Sequence, residues 1–244
     1  MKIIGPLFLS LFFLCTGVAA TVAQSFQWAR IGTGGEQNNA MAVAIDSSGN
    51  VYSTGSLVGS ATSPNTFSGL VPRTYGSEDI YLVKYDSAGT IKWIKSAGGV
   101  KGDRAQGICV GSDGNIYIAG YVQSPSYLFD SVTHLQGDDA TLGFLAKYDP
   151  SGNFLWVRRD TLPEHSSFAG VIAGHDGYIY VTGRRGTSSG KAFIAKYTRD
   201  GEQLWRNMAA GGGISLPQGL VMDAAGNLYT TGMIYGTLRF DTVE

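Results

Sequence analysis

The chain is poor in charge. Asp, Glu, Lys and Arg make up 15% of its 244 residues, and the formal net charge is -1. Nucleic-acid binders carry a basic patch or stripe, so no nucleic-acid partner is expected. Histidine is rarer still, with only His134, His165 and His175. Long apolar runs are missing except at the N-terminus, where Ile3 to Leu14 falls short of the ~20 residues that a membrane-spanning helix needs. Proline is held to 7 residues against 35 glycines, and the glycines recur at regular places, which marks turns and not disorder. The sequence contains no H-E-x-x-H. The glycine-rich stretches "TGGE" and "AGGGIS" lack the strand–helix context of a phosphate cradle.

Cysteine is limited to Cys15 and Cys109. Cys15 lies in an N-terminal stretch that reads as a secretory signal peptide over residues 1–23. It has Lys2 as a positive start, an apolar run, and "TVA" before Gln24 as a small-residue cleavage site, with "VAA" before Thr21 as the alternative. Export to the extracellular space, the cell surface or the periplasm is the expectation, with no transmembrane span in the mature chain. Bacterial lipoproteins place a small residue before the lipidated cysteine; here that residue is Leu14. Removal of the leader leaves Cys109 alone, which excludes an intrachain disulfide. Its setting, "GICVG", predicts a buried small apolar group.

What the chain does have is a repeat. Twenty-one residues after each of Trp28, Trp93, Trp156 and Trp205 stands a glycine: Gly49, Gly114, Gly177 and Gly226. Three further on stand Tyr52, Tyr117, Tyr180 and Tyr229, and three beyond those Gly55, Gly120, Gly183 and Gly232. A second block, "YLVKYDSAGTIKW", "FLAKYDPSGNFLW" and "FIAKYTRDGEQLW", sets a tyrosine eight residues before each of the last three tryptophans. The spacers between the two blocks vary in length, as surface loops on a rigid scaffold do.

Each repeat reads as four short strands, A to D. A is apolar on both faces, which predicts burial on both sides, and carries a small residue at one place, Ala42, Gly107, Gly170 and Gly219. B is "NVYSTG" and its copies, C ends in "KYD" or "KYT", and D holds the tryptophan. Such repeats predict an all-β chain forming a β-propeller with four-stranded antiparallel blades. The pattern D-x-x-G-N-x-Y-x-T-G followed by K-Y-D-x-x-G-x-x-x-W resembles the SBBP-type β-propeller repeat of secreted bacterial proteins, and is similar in plan to NHL and quinoprotein repeats. The expected division is 24–39 as a leading outer strand and loop, 40–103, 104–166 and 167–215 as blades, and 216–244 as an incomplete fourth. About three and a half blades leave apolar faces and sheet edges open. The remaining blades are therefore expected from a longer chain or from assembly.

The repeated tryptophans are expected to pack between blades. Each buries at most roughly 150–250 Å². The repeated tyrosines are expected to pack likewise, with the hydroxyl bonded at the blade margin. "DSSGN", Asp46 to Asn50, has copies "GSDGN", "GHDGY" and "DAAGN", in which only the glycine keeps its place. A calcium loop needs several oxygen ligands; a hairpin needs only a residue at positive φ. The hairpin is the expectation, braced by its Asp, and neither metal nor cofactor is expected.

Function is expected on the face formed by the variable B–C and D–A connections. That face holds Arg73, Tyr75, Tyr127, Phe129, His134, Asp138, Asp139, Arg184 and Arg185, joined by Asp103, Arg104, Glu164 and His165. His175 falls in an A–B turn on the opposite face, so a three-histidine metal site is not expected. No catalytic constellation is legible. The expected role is a non-catalytic secreted scaffold that binds protein or glycan. The alternatives are part of an extracellular propeller enzyme whose site needs further blades, and a spacer in a large surface protein.

Overall fold

Tight turns organise the chain. In the A–B turns Gly49, Gly114, Gly177 and Gly226 stand at φ between 75° and 88°. Each donates its N–H back to the residue three earlier, as Gly49 does to Asp46 at 3.0 Å. Gly89, Gly152 and Gly201 do the same in the C–D turns. A side chain at this φ clashes with its own backbone, so these glycines set where each strand reverses. Asp46 braces its turn as expected: Oδ1 accepts the N–H groups of Ser48 and Asn50, and Oδ2 accepts the Asn50 amide and the Tyr52 hydroxyl. Asp113, Asp176 and Asp223 accept the hydroxyls of Tyr117, Tyr180 and Tyr229 in the same way. The repeated tyrosine therefore finds its partner in the turn of its own hairpin.

A computed structural model describes residues 27–240, except 31, 35–36, 60–63, 131–133, 137–139, 162–163, 188–189, 212 and 238. The strands in chain order are β1 (Gly32–Thr33), β2 (Gln37–Ile45), β3 (Val51–Val58), β4 (Thr66–Phe67), β5 (Asp79–Tyr85) and β6 (Ile91–Gly99). Then come β7 (Arg104–Val110), β8 (Ile116–Val122), β9 (Ser126–Leu128), β10 (His134–Gln136), β11 (Leu142–Tyr148) and β12 (Phe154–Arg159). The rest are β13 (Ser166–Ala173), β14 (Ile179–Arg185), β15 (Lys191–Tyr197), β16 (Gln203–Ala210), β17 (Ile214–Met222), β18 (Leu228–Tyr235) and β19 (Arg239–Phe240). No helix occurs among the described residues, so none there is long and apolar enough to cross a membrane.

The strands form antiparallel sheets in sequence order. The first runs β2-β3-β5-β6, the second β7-β8-β11-β12 and the third β13-β14-β15-β16, and β17 pairs with β18 as the beginning of a fourth. Alternation explains their burial. In β8, Ile116 and Ile118 enter a core shared with the first sheet, while Tyr117 and Ala119 enter one shared with the third. The second sheet is thus covered on both faces, and β11 is buried along its whole length.

Every first strand carries a bulge at one repeat position. Pairing skips Met41, Gln106, Ala169 and Gln218. The glycine opposite follows from this: a Cβ on Gly55, Gly120, Gly183 or Gly232 would run into the carbonyl of Asn39, Arg104, Ser167 or Leu216. Just past the bulge lies the fixed small residue, where the first strands of successive sheets meet. A Cβ on Gly107 would stand 3.0 Å from the Ala169 carbonyl oxygen and 3.1 Å from the Gly170 Cα. The crowding expected at this place is real.

The seams between sheets repeat as well. Trp28 lies over Gly89 and donates to the Ser87 carbonyl at 3.0 Å; Trp93 lies over Gly152 and donates to the Pro150 carbonyl at 3.2 Å. Trp156 lies against Gly201. Each of these three tryptophans therefore docks on the C–D turn of the following sheet. The lysine of the "KY" pair reinforces the contact, Lys84 to the Pro150 carbonyl and Lys147 to the Arg199 carbonyl. Packing between sheets is as expected, but the rings are half-buried, and Trp205, with no such turn beyond it among the described residues, is 36% exposed. A buried ion pair, Arg206 to Asp160 at 2.8 Å, also ties the second sheet to the third.

Three expectations need correction. The leading outer strand forms no ladder over Gln27–Arg30; only its continuation β1 pairs, with β4. The first strand is not buried on both sides in every copy, because β2 exposes Met41, Val43 and Ile45 where no sheet precedes it among the described residues. The B–C segments are not simply loops. After β8 the chain returns as β9 to pair with β6 of the preceding sheet, and β4 with β1 and β19 with β16 repeat that device. The expected leader, with Cys15 and both candidate cleavage sites, lies outside the described residues. Cys109 packs partly buried against the second core, and burial pushes its thiol well above its ordinary range.

Candidate functional site

The return of β9 to β6 removes two candidates. Tyr127 and Phe129 are 2% and 1% exposed. Phe129 packs edge-on to Phe144 at 5.0 Å in the core between the first and second sheets. They are seam residues, not ligand contacts. Asp103 is likewise fully buried. It accepts the N–H groups of Gly99, Gln123 and Ser124 and the Ser124 hydroxyl. Burial raises its pKa against those hydrogen bonds. Its backbone N–H reaches the Glu78 carbonyl, as Ser166 reaches Thr141 and Ser215 reaches Gly190. These three stand ten residues after Trp93, Trp156 and Trp205, so Asp103 is one copy of a latch at the start of the sheets.

The other candidates divide between paired charges and open positions. Arg104 donates to Glu78 at 2.6 Å, and this hydrogen bond raises its pKa. Arg185 pairs with Glu164 at 3.4 Å. Arg73 lies over the Tyr75 ring at 4.9 Å, in a lateral groove that Lys95 and Asp130 also line. His134 begins β10, and its backbone pairs with Leu128. Asp138 and Asp139 lie outside the described residues.

His165 and Arg184 share one cavity. Both line a cavity of about 520 Å³ with Gln106, Tyr121, Gln123 and Gln218. The fold explains the gathering. Gln106 and Gln218 are bulge residues, whose side chains a bulge re-aims out of the ladder. Ala169, the bulge residue of the third sheet, is also in the wall. Tyr121 and Arg184 come from the ends of β8 and β14. The connection after β14 is the shortest of the three complete ones and adds Gly186 and Thr187 to the wall. His165 Nδ1 accepts the Thr141 N–H at 2.9 Å, which puts the ring proton on Nε2 as a donor. Gln123 donates to the Thr141 hydroxyl at 3.2 Å. Burial raises the Tyr121 pKa, with Arg104 acting against it, so the hydroxyl stays a donor at neutral pH. The wall contains no carboxylate among the described residues.

No protein-family model matches the chain. It is 33% identical over 112 residues to Regulatory protein FlaEY of Caulobacter vibrioides, a match covering 45% of this chain and 12% of that one. It is 32% identical over 126 residues to an uncharacterized WD repeat-containing protein of Acanthamoeba polyphaga mimivirus, covering 47% of this chain and 9% of that one. The chain thus spans a small part of the length of these curated relatives. Among solved structures, a protein of unknown function from Bacteroides caccae overlaps at TM-score 0.43 and 11% identity, over 78% of this chain and 52% of that one. The WD-repeat relative and the successive antiparallel sheets agree on a β-rich repeat protein.

Gln106, Gln123 and Gln218 carry no motif of their own in the sequence. Gln106 and Gln218 follow the same point of the repeat, one residue before the fixed small residue, and that register was the available signal.

Proposed function

We propose that the sheets are blades of an SBBP-type β-propeller, and that the protein is an exported, non-catalytic scaffold binding a glycan or protein group in the cavity at the ends of β8, β14 and β17. The regular seams and adjoining first strands support the propeller reading, and the leader over residues 1–23 supports export. The observation that carries the binding reading is the wall itself. Gln106, Tyr121 and Gln218 turn side-chain polar groups with no hydrogen-bond partner among the described residues into one open cavity. Such convergent polar groups in a concavity suit recognition. Hydrolysis by paired carboxylates would need acids, and none lines this wall among the described residues.

The test is a glycan and cell-surface-protein array probed with the full chain and with Gln218→Trp. Gln218 is exposed at the cavity rim, so the larger ring is expected to block the cavity while the melting temperature holds. Loss of binding is the expected result. Undiminished binding by a folded variant would move the site elsewhere.

A further inference from the structure

Arg184 is the one cation among the described residues of the cavity wall, and it is half-buried. It meets no carboxylate, carbonyl or hydroxyl among the described residues. Neighbouring guanidiniums are differently placed: Arg104 holds Glu78, Arg185 holds Glu164 and Arg206 holds Asp160. A partly desolvated charge without a counter-charge costs free energy that an anion in the cavity recovers. The guanidinium fork matches a carboxylate in two parallel hydrogen bonds.

We infer that the cavity takes a carboxylate-bearing saccharide, with Arg184 on the carboxylate and Gln106, Gln218, Tyr121 and His165 Nε2–H on the hydroxyls. This rests on the binding reading above and narrows it. Three observations select the class. One guanidinium balances one negative charge, which suits a carboxylate and leaves a phosphate ester of nearly two charges undercompensated. Amides and hydroxyls dominate the wall, with Ala169, Leu216 and Pro217 as minor apolar members, so it offers hydroxyl partners and no deep apolar anchor of the kind a peptide side chain fills. The volume of about 520 Å³ lies within the range of small-ligand sites and accommodates a short saccharide.

The probes are a digalacturonate, its dimethyl ester and inorganic phosphate, each titrated calorimetrically against the full chain at low salt. The acid is expected to bind about tenfold or more tighter than the ester, as a charge-assisted pair implies, with phosphate weaker than the acid. Arg184→Gln is expected to erase the acid-over-ester preference, with the acid losing about tenfold or more in affinity. Arg184→Lys is expected to retain part of the preference. Arg158→Gln controls for net charge, because its guanidinium sits at the turn-bearing end on the Asp200 carbonyl; it should change nothing. Equal binding of acid and ester, a preference that survives Arg184→Gln, or phosphate binding tighter than the acid overturns the inference and leaves a binding cavity. Failure of both acid and ester to bind overturns the inference and argues against the saccharide arm of the binding reading as well.

Discussion

Asp79 is fully buried behind the start of β5. Its Oδ2 accepts the N–H groups of Tyr75 at 2.8 Å and Gly76 at 3.3 Å, while Oδ1 has no hydrogen-bond partner among the described residues. Burial, aided by the nearby Asp103 and Glu78 and opposed by those two hydrogen bonds, pushes its pKa from 3.8 up to about 6. A raised carboxyl pKa means that the folded chain holds the proton more tightly than the unfolded one. Its contribution to stability is then complete below pH 3.8 and lost as pH rises through about 6. Urea unfolding between pH 4 and 7 is expected to show stability falling across that window, with Asp79→Asn flattening the fall. A fall of equal slope in Asp79→Asn would remove Asp79 as its source. The turn carboxylates act in the opposite sense. Burial would raise Asp113, but hydrogen bonds from Asn115, Lys147 and Tyr117 outweigh it and hold it at about 2, so that contribution is lost only in stronger acid. At this scale the turn glycines and their bracing aspartates were legible, because those contacts span only a few residues. Gly120 was visible only as a repeat register, because its reason is the bulge on another strand.

At the scale of elements, a seam is a tryptophan laid on the turn of the next sheet. Trp93 has that turn beneath it; Trp205 has none among the described residues. Trp93→Ala is expected to cost about 3 kcal/mol, the lower end for a buried tryptophan, and Trp205→Ala about 1 kcal/mol. Denaturant midpoints of the two variants check this; equal losses would mean that the turn contact adds nothing. The strands were largely readable from period-two alternation and turn chemistry. The short strands β4, β9 and β19 were not, because each is made by pairing with a strand of the preceding sheet or segment. Tyr127 and Phe129 followed them from the expected binding face into a seam.

Across the whole molecule, the same repeat position has opposite fates. Tyr52 and Tyr117 are 0% exposed and Tyr180 is 5%, but Tyr229 is 53%. Val43 on β2 is 64% exposed and Ile234 on β18 is 58%. Both flanks of the described sheets therefore present apolar surface of the kind that associates. Sedimentation velocity on the 244-residue chain is expected to show concentration-dependent self-association, reduced by Val43→Lys together with Ile234→Lys. A monodisperse monomer would count against adhesive flanks.

The sequence by itself determined the strand class, the turns and the fourfold repeat, since each rests on side-chain alternation or backbone conformation within a few neighbouring residues. Tertiary structure alone decided which polar groups remain free. Arg104 and Arg184 look alike along the chain. One faces Glu78 across a seam, and the other faces a cavity whose wall is assembled from strands of three sheets. Burial and partnership depend on elements far apart in sequence, and local pattern carries no record of them.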